Sequence, residues 1–431
     1  MMKKILILFI ATGCISIHSV AQTSLSKAEQ NIIKSVEENM SSTLKILEAS
    51  VNINSGTYNT GGVKKVGALY GKELESLGFK TEWISMPDFV KRAGHLVAYR
   101  KGNKGKKLFL IGHLDTVFEP DMPPNPYTIL NDSTATGQGV NDMKGGDVLV
   151  IAALKALQQN GLLDDVSITI YFTGDEENAG HPREVTRGDF IERAKQHDMA
   201  LAFETASSMS IVATARRGAS GWKLETEGRQ AHSAGVFGAA GYGSIYEASR
   251  IINSFRETLS KEEFLTFNPG VFIGGSEVHY DDTKQEGTAM GKTNIISPRT
   301  VVIGDLRFLS EVQKEKAREK MRQIVSQNLP GTKASISFSD GIPSMPPTEG
   351  NNALVKVVNE VSLSMGLGEV KAGNPGARGA GDISYVANYL DCIDGLGASG
   401  RGAHAPGETI NLKEYPQLIK RTAVLIYRLT R

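Results

Sequence analysis

The sequence predicts an α/β fold in which a mostly parallel central sheet is flanked by helices, with a smaller α+β domain inserted into it. Short apolar runs alternate with helical segments in the first half of the chain, a pattern typical of parallel sheets covered by helices. The pattern changes after Arg217 and returns from Asn352 onward. With 431 residues and 40% hydrophobic content, the chain is long enough for about two or three globular domains.

Apolar spacing and glycine stops define the elements of the first half. Helical periodicity marks three segments, residues 26–50, 64–77 and 144–159. Continuous apolar runs mark three buried strands, residues 107–112, 166–173 and 199–203. Gly78 and Gly161 follow the second and third helices, where glycine is a usual stop. Because strands and helices alternate, we expect these strands to lie side by side in one sheet.

The middle of the chain predicts a separate layer. Four segments read as strands, residues 222–227, 271–273, 295–308 and 336–338. Two read as helices, residues 242–259 and 311–328. The first pattern then resumes with three helices and one strand, residues 352–365, 382–389, 413–430 and 391–397. We therefore predict a catalytic domain formed by residues 22–216 and 342–431, and a two-helix, four-strand domain at residues 217–341.

The first 21 residues have the order of a secretory signal peptide. Lys3 and Lys4 precede the apolar run 5–10, and small residues occupy the expected cleavage site at Ala21. The run is too short to span a bilayer. Two alternatives stay open: a lipoprotein signal at Cys14, and a cytosolic N-terminal strand. The prediction is an exported protein, periplasmic or secreted, without a membrane span.

Charge and cysteine content narrow the classes of partner. Lys and Arg number 48 against 47 Asp and Glu, a net charge of +1. Nucleic-acid binding usually shows a basic patch and membrane-surface binding a polybasic run, and the sequence has neither, so we expect no nucleic-acid partner. Cleavage after Ala21 would leave Cys392 as the one cysteine, which cannot form an internal disulfide.

Two short motifs carry side chains suited to metal binding. His113 ends a predicted strand, and Asp115 points to the same side of an extended chain, where it could accept the other ring N–H. Asp142 lies in a glycine-rich turn just before a predicted helix. Taken alone, the first motif also fits a surface loop, and Asp142 also fits a helix N-cap.

Three further motifs supply carboxylates and a second histidine. Glu176 and Glu177 belong to a run of three acidic residues after the strongest apolar strand, and such a run needs positive charge nearby. One of the two could bind metal while its neighbour transfers a proton. Glu204 follows the next strand, and His404 lies in a loop of small residues. An exposed acidic loop is the alternative for the first of these motifs.

Together, these motifs predict a two-metal centre. Five side chains fall at the carboxyl ends of strand-like runs, the edge where open α/β sheets bind ligands: His113, Asp142, Glu177, Glu204 and His404. Two histidines with three carboxylates suit zinc. Five ligands exceed the needs of one catalytic zinc but fit two zinc ions that share a carboxylate. Glu176 remains as the proton-transfer group.

In this order and spacing, the motifs resemble the aminoacylase/glutamate carboxypeptidase family of co-catalytic zinc hydrolases, over nearly the whole mature chain. The resemblance implies that His113 and Glu204 hold one zinc and that Glu177 and His404 hold the other. Asp142 would bridge them, next to a cis peptide bond. The same resemblance makes Glu176 the general base and Asp115 the residue that orients His113. Co²⁺ or Mn²⁺ are alternatives to zinc.

The resemblance also assigns roles within residues 217–341. His232, in the run Gln-Ala-His-Ser-Ala-Gly, would stabilise the oxyanion in the active site of the partner subunit, which implies a homodimer through this domain. Asn294 and Arg307 match positions that contact substrate. Arg307 could bind a free carboxylate through two parallel hydrogen bonds, or it could form a salt bridge on a sheet face.

The expected activity is cleavage of a peptide or amide bond next to a C-terminal amino acid such as glutamate, by metal-activated water with Glu176 as general base. Glu204 and the run from His113 resemble the glutamate carboxypeptidase branch. Thr205, Arg378 and Arg401 depart from the pattern of that family. The identity of the substrate, a small peptide or an N-acyl amino acid, therefore stays open. An N-acyl amino acid deacylase of the acetylornithine or succinyl-diaminopimelate type is the alternative, and a non-catalytic binding homologue is a further one.

Overall fold

A computed structural model describes residues 24–431. The predicted signal peptide, with Lys3, Lys4 and Cys14, lies outside the described residues. The α-helices are α1 (Lys27–Val51), α2 (Thr60–Ser76), α3 (Lys144–Gln159), α4 (Arg183–Ala194), α5 (Ser244–Leu259), α6 (Glu311–Val325), α7 (Glu349–Ser364) and α8 (Tyr415–Leu429). No helix within residues 24–431 is long and apolar enough to cross a membrane.

The strands range from two to eleven residues. They are β1 (Lys80–Ile84), β2 (His95–Arg100), β3 (Lys104–His113), β4 (Thr128–Asn131), β5 (Thr134–Thr136), β6 (Val166–Thr173), β7 (Met199–Ala202), β8 (Ile211–Val212), β9 (Gly218–Gly228), β10 (Thr266–Gly275), β11 (Glu277–Asp281), β12 (Glu286–Met290), β13 (Arg299–Phe308), β14 (Thr332–Asp340), β15 (Lys371–Ala372), β16 (Asp391–Ile393), β17 (Gly400–Arg401) and β18 (Thr409–Asn411).

The central sheet has six strands in the order β1-β2-β6-β3-β7-β16. Strands β6, β3, β7 and β16 are parallel, and β1 and β2 add an antiparallel edge. The predicted α/β class and mostly parallel sheet are therefore confirmed. In β3, Leu108 and Leu110 belong to one buried cluster, while Phe109 and Ile111 belong to another. Alternate side chains thus face opposite sides of the sheet, and both sides are covered.

A second sheet lies within residues 218–340. It has the antiparallel order β10-β13-β9-β14. Apolar side chains of α5 and α6 pack against one of its faces and form a third buried cluster with Trp222 and Leu306. The hairpin β11–β12 was not predicted. The chain enters and leaves this region side by side, because Arg216 and Met345 exchange two backbone hydrogen bonds of 2.9 Å.

Other expectations differ from the structure in detail. The helix predicted over residues 382–389 is wrong, because the chain forms a single 3₁₀ turn, Asp382–Tyr385. All four residues of that turn are buried, whereas a surface helix buries one stripe. The strand predicted over residues 391–397 is β16 alone. Helix α4 was missed because its sequence is mostly polar and its apolar periodicity is weak.

Gly112 lies in β3 directly before His113, where the sheet packs tightly on α3. A Cβ at Gly112 would lie 2.1 Å from Asp147 Oδ1 and 2.9 Å from Phe172 Cδ1. We expect Gly112→Ala to lower the free energy of unfolding by about 1–3 kcal/mol, the usual cost of overpacking a core. Urea unfolding would measure the change.

The matched control is Gly188→Ala in α4, where a new Cβ meets no heavy atom within 4 Å. Alanine there should raise the free energy of unfolding by about 0.5–1 kcal/mol, since it suits a helix better than glycine. Equal effects of the two substitutions would contradict the argument.

Candidate metal centre

Five metal-ligand side chains meet at the carboxyl edge of the central sheet. His113 is the last residue of β3, while Glu177 and Glu204 follow the ends of β6 and β7. Asp142 lies in the turn before α3, and His404 lies in the loop between β17 and β18. The carboxyl ends of parallel strands share one edge, so the strand order brings His113, Glu177 and Glu204 together. Asp142 and His404 come from loops that adjoin the separate sheet β17-β18-β5-β4. The peptide bond between Asp142 and Met143 is cis, as the resemblance implies.

Asp142 lies between the two histidines. Its Oδ1 is 3.4 Å from His113 Nε2, and its Oδ2 is 3.2 Å from His404 Nε2. Glu204 Oε1 is 3.8 Å from His113 Nε2, and Glu177 Oε2 is 3.1 Å from His404 Nε2. The five side chains therefore form two groups of three that share one aspartate.

The spacing and chemistry of these groups fit metal ions. A tetrahedral zinc ion with bonds of about 2.0–2.1 Å keeps its donor atoms about 3.3–3.4 Å apart, and the four distances bracket that value. Glu177 Oε1 is buried and has no hydrogen-bond partner among the described residues, so one acceptor is left for a cation. The imidazole and carboxylate donors are those that zinc binds.

Glu176 lies next to the first group. One donor atom each of His113, Glu176 and Glu204 lie within 4.8 Å of one another. Burial raises the pKa of Glu176 well above its usual range, and the charge of Glu204 adds to the shift. Burial and the nearby Asp142 also raise the pKa of Glu204 to about 7. Several buried carboxylates lie close together here, and their mutual repulsion disfavours the ionised forms. A bound cation would offset this repulsion.

Asp115 holds a loop as well as a histidine. The ring Nδ1 of His113 lies 3.0 Å from the backbone oxygen of Asp115 and 3.5 Å from its carboxylate. The carboxylate itself accepts the backbone N–H groups of Glu176 and Glu177, at 3.0 and 3.2 Å, and the hydroxyl of Thr57 at 2.6 Å. Asp115 thus fixes the segment that carries the predicted base and one predicted ligand.

Two side chains that the sequence reasoning missed hold the same loop. His95 Nδ1 accepts the N–H of Gly174 at 3.1 Å. Arg187 is fully buried and forms ion pairs with Asp175, at 2.6 Å, and Asp382, at 2.8 Å. The run of three acidic residues did signal a need for positive charge. Its spacing could not identify Arg187, because the partner lies on α4.

A second buried arginine lies behind Glu204. Arg216 Nη1 is 2.6 Å from Asp394 Oδ2 and 4.0 Å from Glu204 Oε1. Arg378 Nη1 instead donates to the backbone oxygen of Thr205, at 2.8 Å. Arg401 is exposed on β17. Among the described residues 24–431, Arg216 is the one of these three arginines that lies within ion-pair distance of a predicted ligand. Nothing in the sequence indicated this role.

The three residues predicted from the middle of the chain lie apart from the five donors. Within the described chain, no hydrogen bond or ion pair joins His232, Asn294 or Arg307 to those donors. His232 and Asn294 are neighbours, because Ser233 N–H donates to the backbone oxygen of Asn294 at 2.9 Å. Arg307 Nε donates to Asp305 Oδ2 at 2.9 Å, which is the sheet-face salt bridge considered as its alternative role.

An α/β sheet with such a cluster at its carboxyl edge is typical of metal-dependent hydrolases. The sequence profile described as Peptidase family M20/M25/M40 matches residues 109–428, which is most of the chain. The chain belongs to this family. It is accordingly a metal-dependent peptidase or amidohydrolase.

The chain is similar in sequence to individual relatives and similar in fold to solved structures. Carboxypeptidase G2 of Pseudomonas sp. (strain RS-16) is 26% identical over 417 residues, 94% of each chain. Succinyl-diaminopimelate desuccinylase of Polynucleobacter necessarius is 29% identical over 302 residues, 66% of this chain and 74% of the relative. The crystal structure of the aminopeptidase PepT from Bacillus cereus superposes with a TM-score of 0.72 at 16% identity, covering 90% of this chain and 98% of the other.

The hydrogen bonds of His95 require a neutral ring. Nδ1 accepts the N–H of Gly174, and Nε2 donates to the backbone oxygen of Thr186 at 3.0 Å. Burial lowers the pKa of His95 below its usual value near 6.5. The unfolded chain therefore takes up a proton below about pH 6.5 that the folded chain does not. This contribution to stability is complete above that pH and is lost as the pH falls toward the folded pKa.

We expect His95→Asn to remove this pH dependence. The free energy of unfolding of the natural protein should fall more steeply below about pH 6.5, by up to about 1.4 kcal/mol per pH unit relative to the variant. The groups that face the ring, Asp175, Arg187 and Asp382, are present in both proteins. Urea unfolding of both proteins at several pH values between about 5 and 8 would test this expectation. If the two plots of unfolding free energy against pH were parallel, the expectation would be wrong.

Proposed function

We propose that this chain is an exported dinuclear zinc hydrolase of the carboxypeptidase type. It cleaves a peptide or amide bond next to a C-terminal amino acid such as glutamate. The observation that carries the proposal is Asp142, which directs one carboxylate oxygen toward each histidine. The relative named Carboxypeptidase G2, which aligns with 94% of the chain, supports the carboxypeptidase type.

In this proposal, His113 and Glu204 would hold one zinc, Glu177 and His404 would hold the other, and Asp142 would serve both. Two such ions would lower the pKa of a shared water and polarise the scissile carbonyl. Co²⁺ and Mn²⁺ accept the same nitrogen and oxygen donors, so metal analysis of the purified protein decides the ion.

Glu176 acts as the general base and acid. Its carboxylate takes a proton from the attacking water and returns it to the leaving amine. Asp115 accepts the backbone N–H of Glu176 at 3.0 Å, and this bond holds the base beside His113 and Glu204. The buried pair of Arg187 and Asp175 supports the loop from the other side.

His232 supplies an oxyanion donor across a homodimer. Its Nδ1 accepts the N–H of Ala234 at 3.2 Å, so the ring proton lies on Nε2, and the exposed side chain can donate it. Residues 217–341 would form the dimerisation domain, and His232 of the partner subunit would complete each site. A preorganised donor of this kind contributes roughly 3–4 kcal/mol to the transition state.

Arg307 binds the free carboxylate of the substrate, and Asn294 contacts the substrate. The bond from Arg307 to Asp305 uses Nε, so the two Nη groups are the ones that would bind the carboxylate as a pair. The relative named as a desuccinylase keeps an N-acyl amino acid deacylase as the second candidate. The predicted signal peptide over residues 1–21 favours the carboxypeptidase, because the deacylase substrates are cytosolic intermediates.

Removing the Glu176 carboxylate should abolish turnover without removing the metal. We expect Glu176→Ala to lower kcat by about 10²–10⁴-fold, while the zinc content stays near two per chain. The measurements are steady-state kinetics and elemental analysis of the purified variant. Glu184→Ala, which removes an exposed glutamate from α4, is the control and should leave kcat unchanged. Full activity of Glu176→Ala would refute its role as base.

The carboxylate preference can be tested on matched substrates. We expect the natural protein to cleave N-acyl glutamate and dipeptides, and to lose at least about tenfold in kcat/KM when the terminal carboxylate is converted to an amide. Arg307→Met should raise KM for the free acids by about 10–100-fold, the size of a lost charge-assisted hydrogen bond, with little effect on the amides.

Arg299→Met is the matched control for this test. Arg299 lies on the same strand, β13, and pairs with Glu225 at 2.9 Å, so its loss removes a comparable salt bridge. If both substitutions change KM equally, Arg307 has no special role in binding. If N-succinyl diamino acids are cleaved far faster than peptides, the second candidate is the correct one.

A further inference from the structure

Glu408 is fully buried and binds the turn that carries Asp142. Its Oε1 accepts the backbone N–H groups of Asn141 and Asp142, both at 2.7 Å, and its Oε2 accepts the N–H of Gly139 at 3.0 Å. An ionised carboxylate with three such donors is a strong and directional anchor. Glu408 is neither one of the five predicted metal ligands nor the proposed general base.

The backbone of Glu408 is joined to the same segment. Its carbonyl oxygen accepts the hydroxyl of Thr136 at 2.6 Å and the N–H of Gly137 at 3.3 Å. Side chain and backbone together make five hydrogen bonds to residues 136–142. Glu408 thus extends the connection between two distant parts of the chain that the pairing of β18 with β5 begins.

The loop that Glu408 anchors carries His404. Residues 401–407 are exposed, apart from the half-buried Ala405, and Glu408 is the first buried residue after them. The His404 side chain is itself 58% exposed, and its backbone has φ of 65°, a conformation that a residue with a Cβ adopts only when its surroundings impose it. Packing around the imidazole does not fix its position, so that position depends on how the loop is anchored.

We propose that Glu408 is a positioning residue that sets the separation between His404 and Asp142 and thereby determines the affinity of the second metal site. This inference rests on the proposed two-metal function. The first site, formed by His113, Glu204 and Asp142, depends less on Glu408. His113 ends β3 and Glu204 follows β7, both within the buried sheet. Loss of the Glu408 anchor displaces two ligands of the second site, His404 and Asp142, but only Asp142 of the first, and therefore weakens the second site more than the first.

The test is a metal titration of Glu408→Gln. Glutamine has nearly the same shape and keeps one acceptor oxygen, but the NH₂ group that replaces the other oxygen faces a backbone N–H and cannot accept it. The metal-free natural protein and the variant are titrated with Co²⁺, and the visible absorption of the bound ion and competition with a chelator report each site. We expect the variant to bind the first Co²⁺ ion with an affinity within about twofold of that of the natural protein. Its affinity for the second Co²⁺ ion should be about 10–100-fold lower.

Two further variants separate positioning from folding. Glu408→Asp keeps both acceptor oxygens on a shorter side chain and should recover part of the second-site affinity. Glu29→Gln changes another buried glutamate, which pairs with Arg428 at 2.6 Å and caps α1, and should leave both Co²⁺ affinities unchanged. The circular dichroism spectrum of each metal-free variant shows whether it is folded.

Each outcome has a defined meaning. Selective loss of the second ion in folded Glu408→Gln supports the inference. Unchanged binding of both ions overturns it, and so does an equal weakening of both sites, because a general structural role would act on both. If the natural protein itself binds fewer than two Co²⁺ ions, the proposed two-metal function is what fails.

Discussion

The carboxylate of Asp142 is the constraint on which the rest of the site depends. One side chain faces both histidines, with 3.4 Å to His113 and 3.2 Å to His404. His113 belongs to the buried central sheet and His404 to an exposed loop, so the aspartate must reach two elements that are held in different ways. A shared ligand works only when both remain in place, because small shifts weaken metal coordination. The surrounding structure is organised to prevent such shifts.

Acceptor side chains hold the ligand loops by their backbone. Asp115 accepts two N–H groups of the segment that carries Glu176 and Glu177, and His95 accepts one at its start. Glu408 performs the same task for the turn of Asp142. Loops without regular structure would otherwise leave these buried donors unpaired, at a cost of about 1–3 kcal/mol each. The same bonds thus satisfy the backbone and orient the ligands.

Three of the five predicted donors, His113, Glu177 and Glu204, follow parallel strands of the central sheet, whose carboxyl ends lie at one edge. Asp142 and His404 instead lie in loops outside that sheet, so their approach to this edge depends on how distant loops pack. The sequence could not predict the groups that hold the donors. Glu408, His95 and Arg187 act on loops far away in the chain, and their roles depend on which loops meet. Helix α4 escaped notice because it is mostly polar. The turn Asp382–Tyr385 differs from the predicted helix because its four consecutive residues are all buried, whereas a surface helix buries one stripe.

The hydrogen-bonded segments at Arg216 and Met345, where the chain enters and leaves residues 217–341, affect how such a protein can change during evolution. Their two backbone hydrogen bonds of 2.9 Å place the two ends of residues 217–341 beside each other. A segment whose ends adjoin can be lengthened, shortened or exchanged without stretching the host, as in domain insertions. The α/β layer can therefore persist while residues 217–341 diverge in length and sequence.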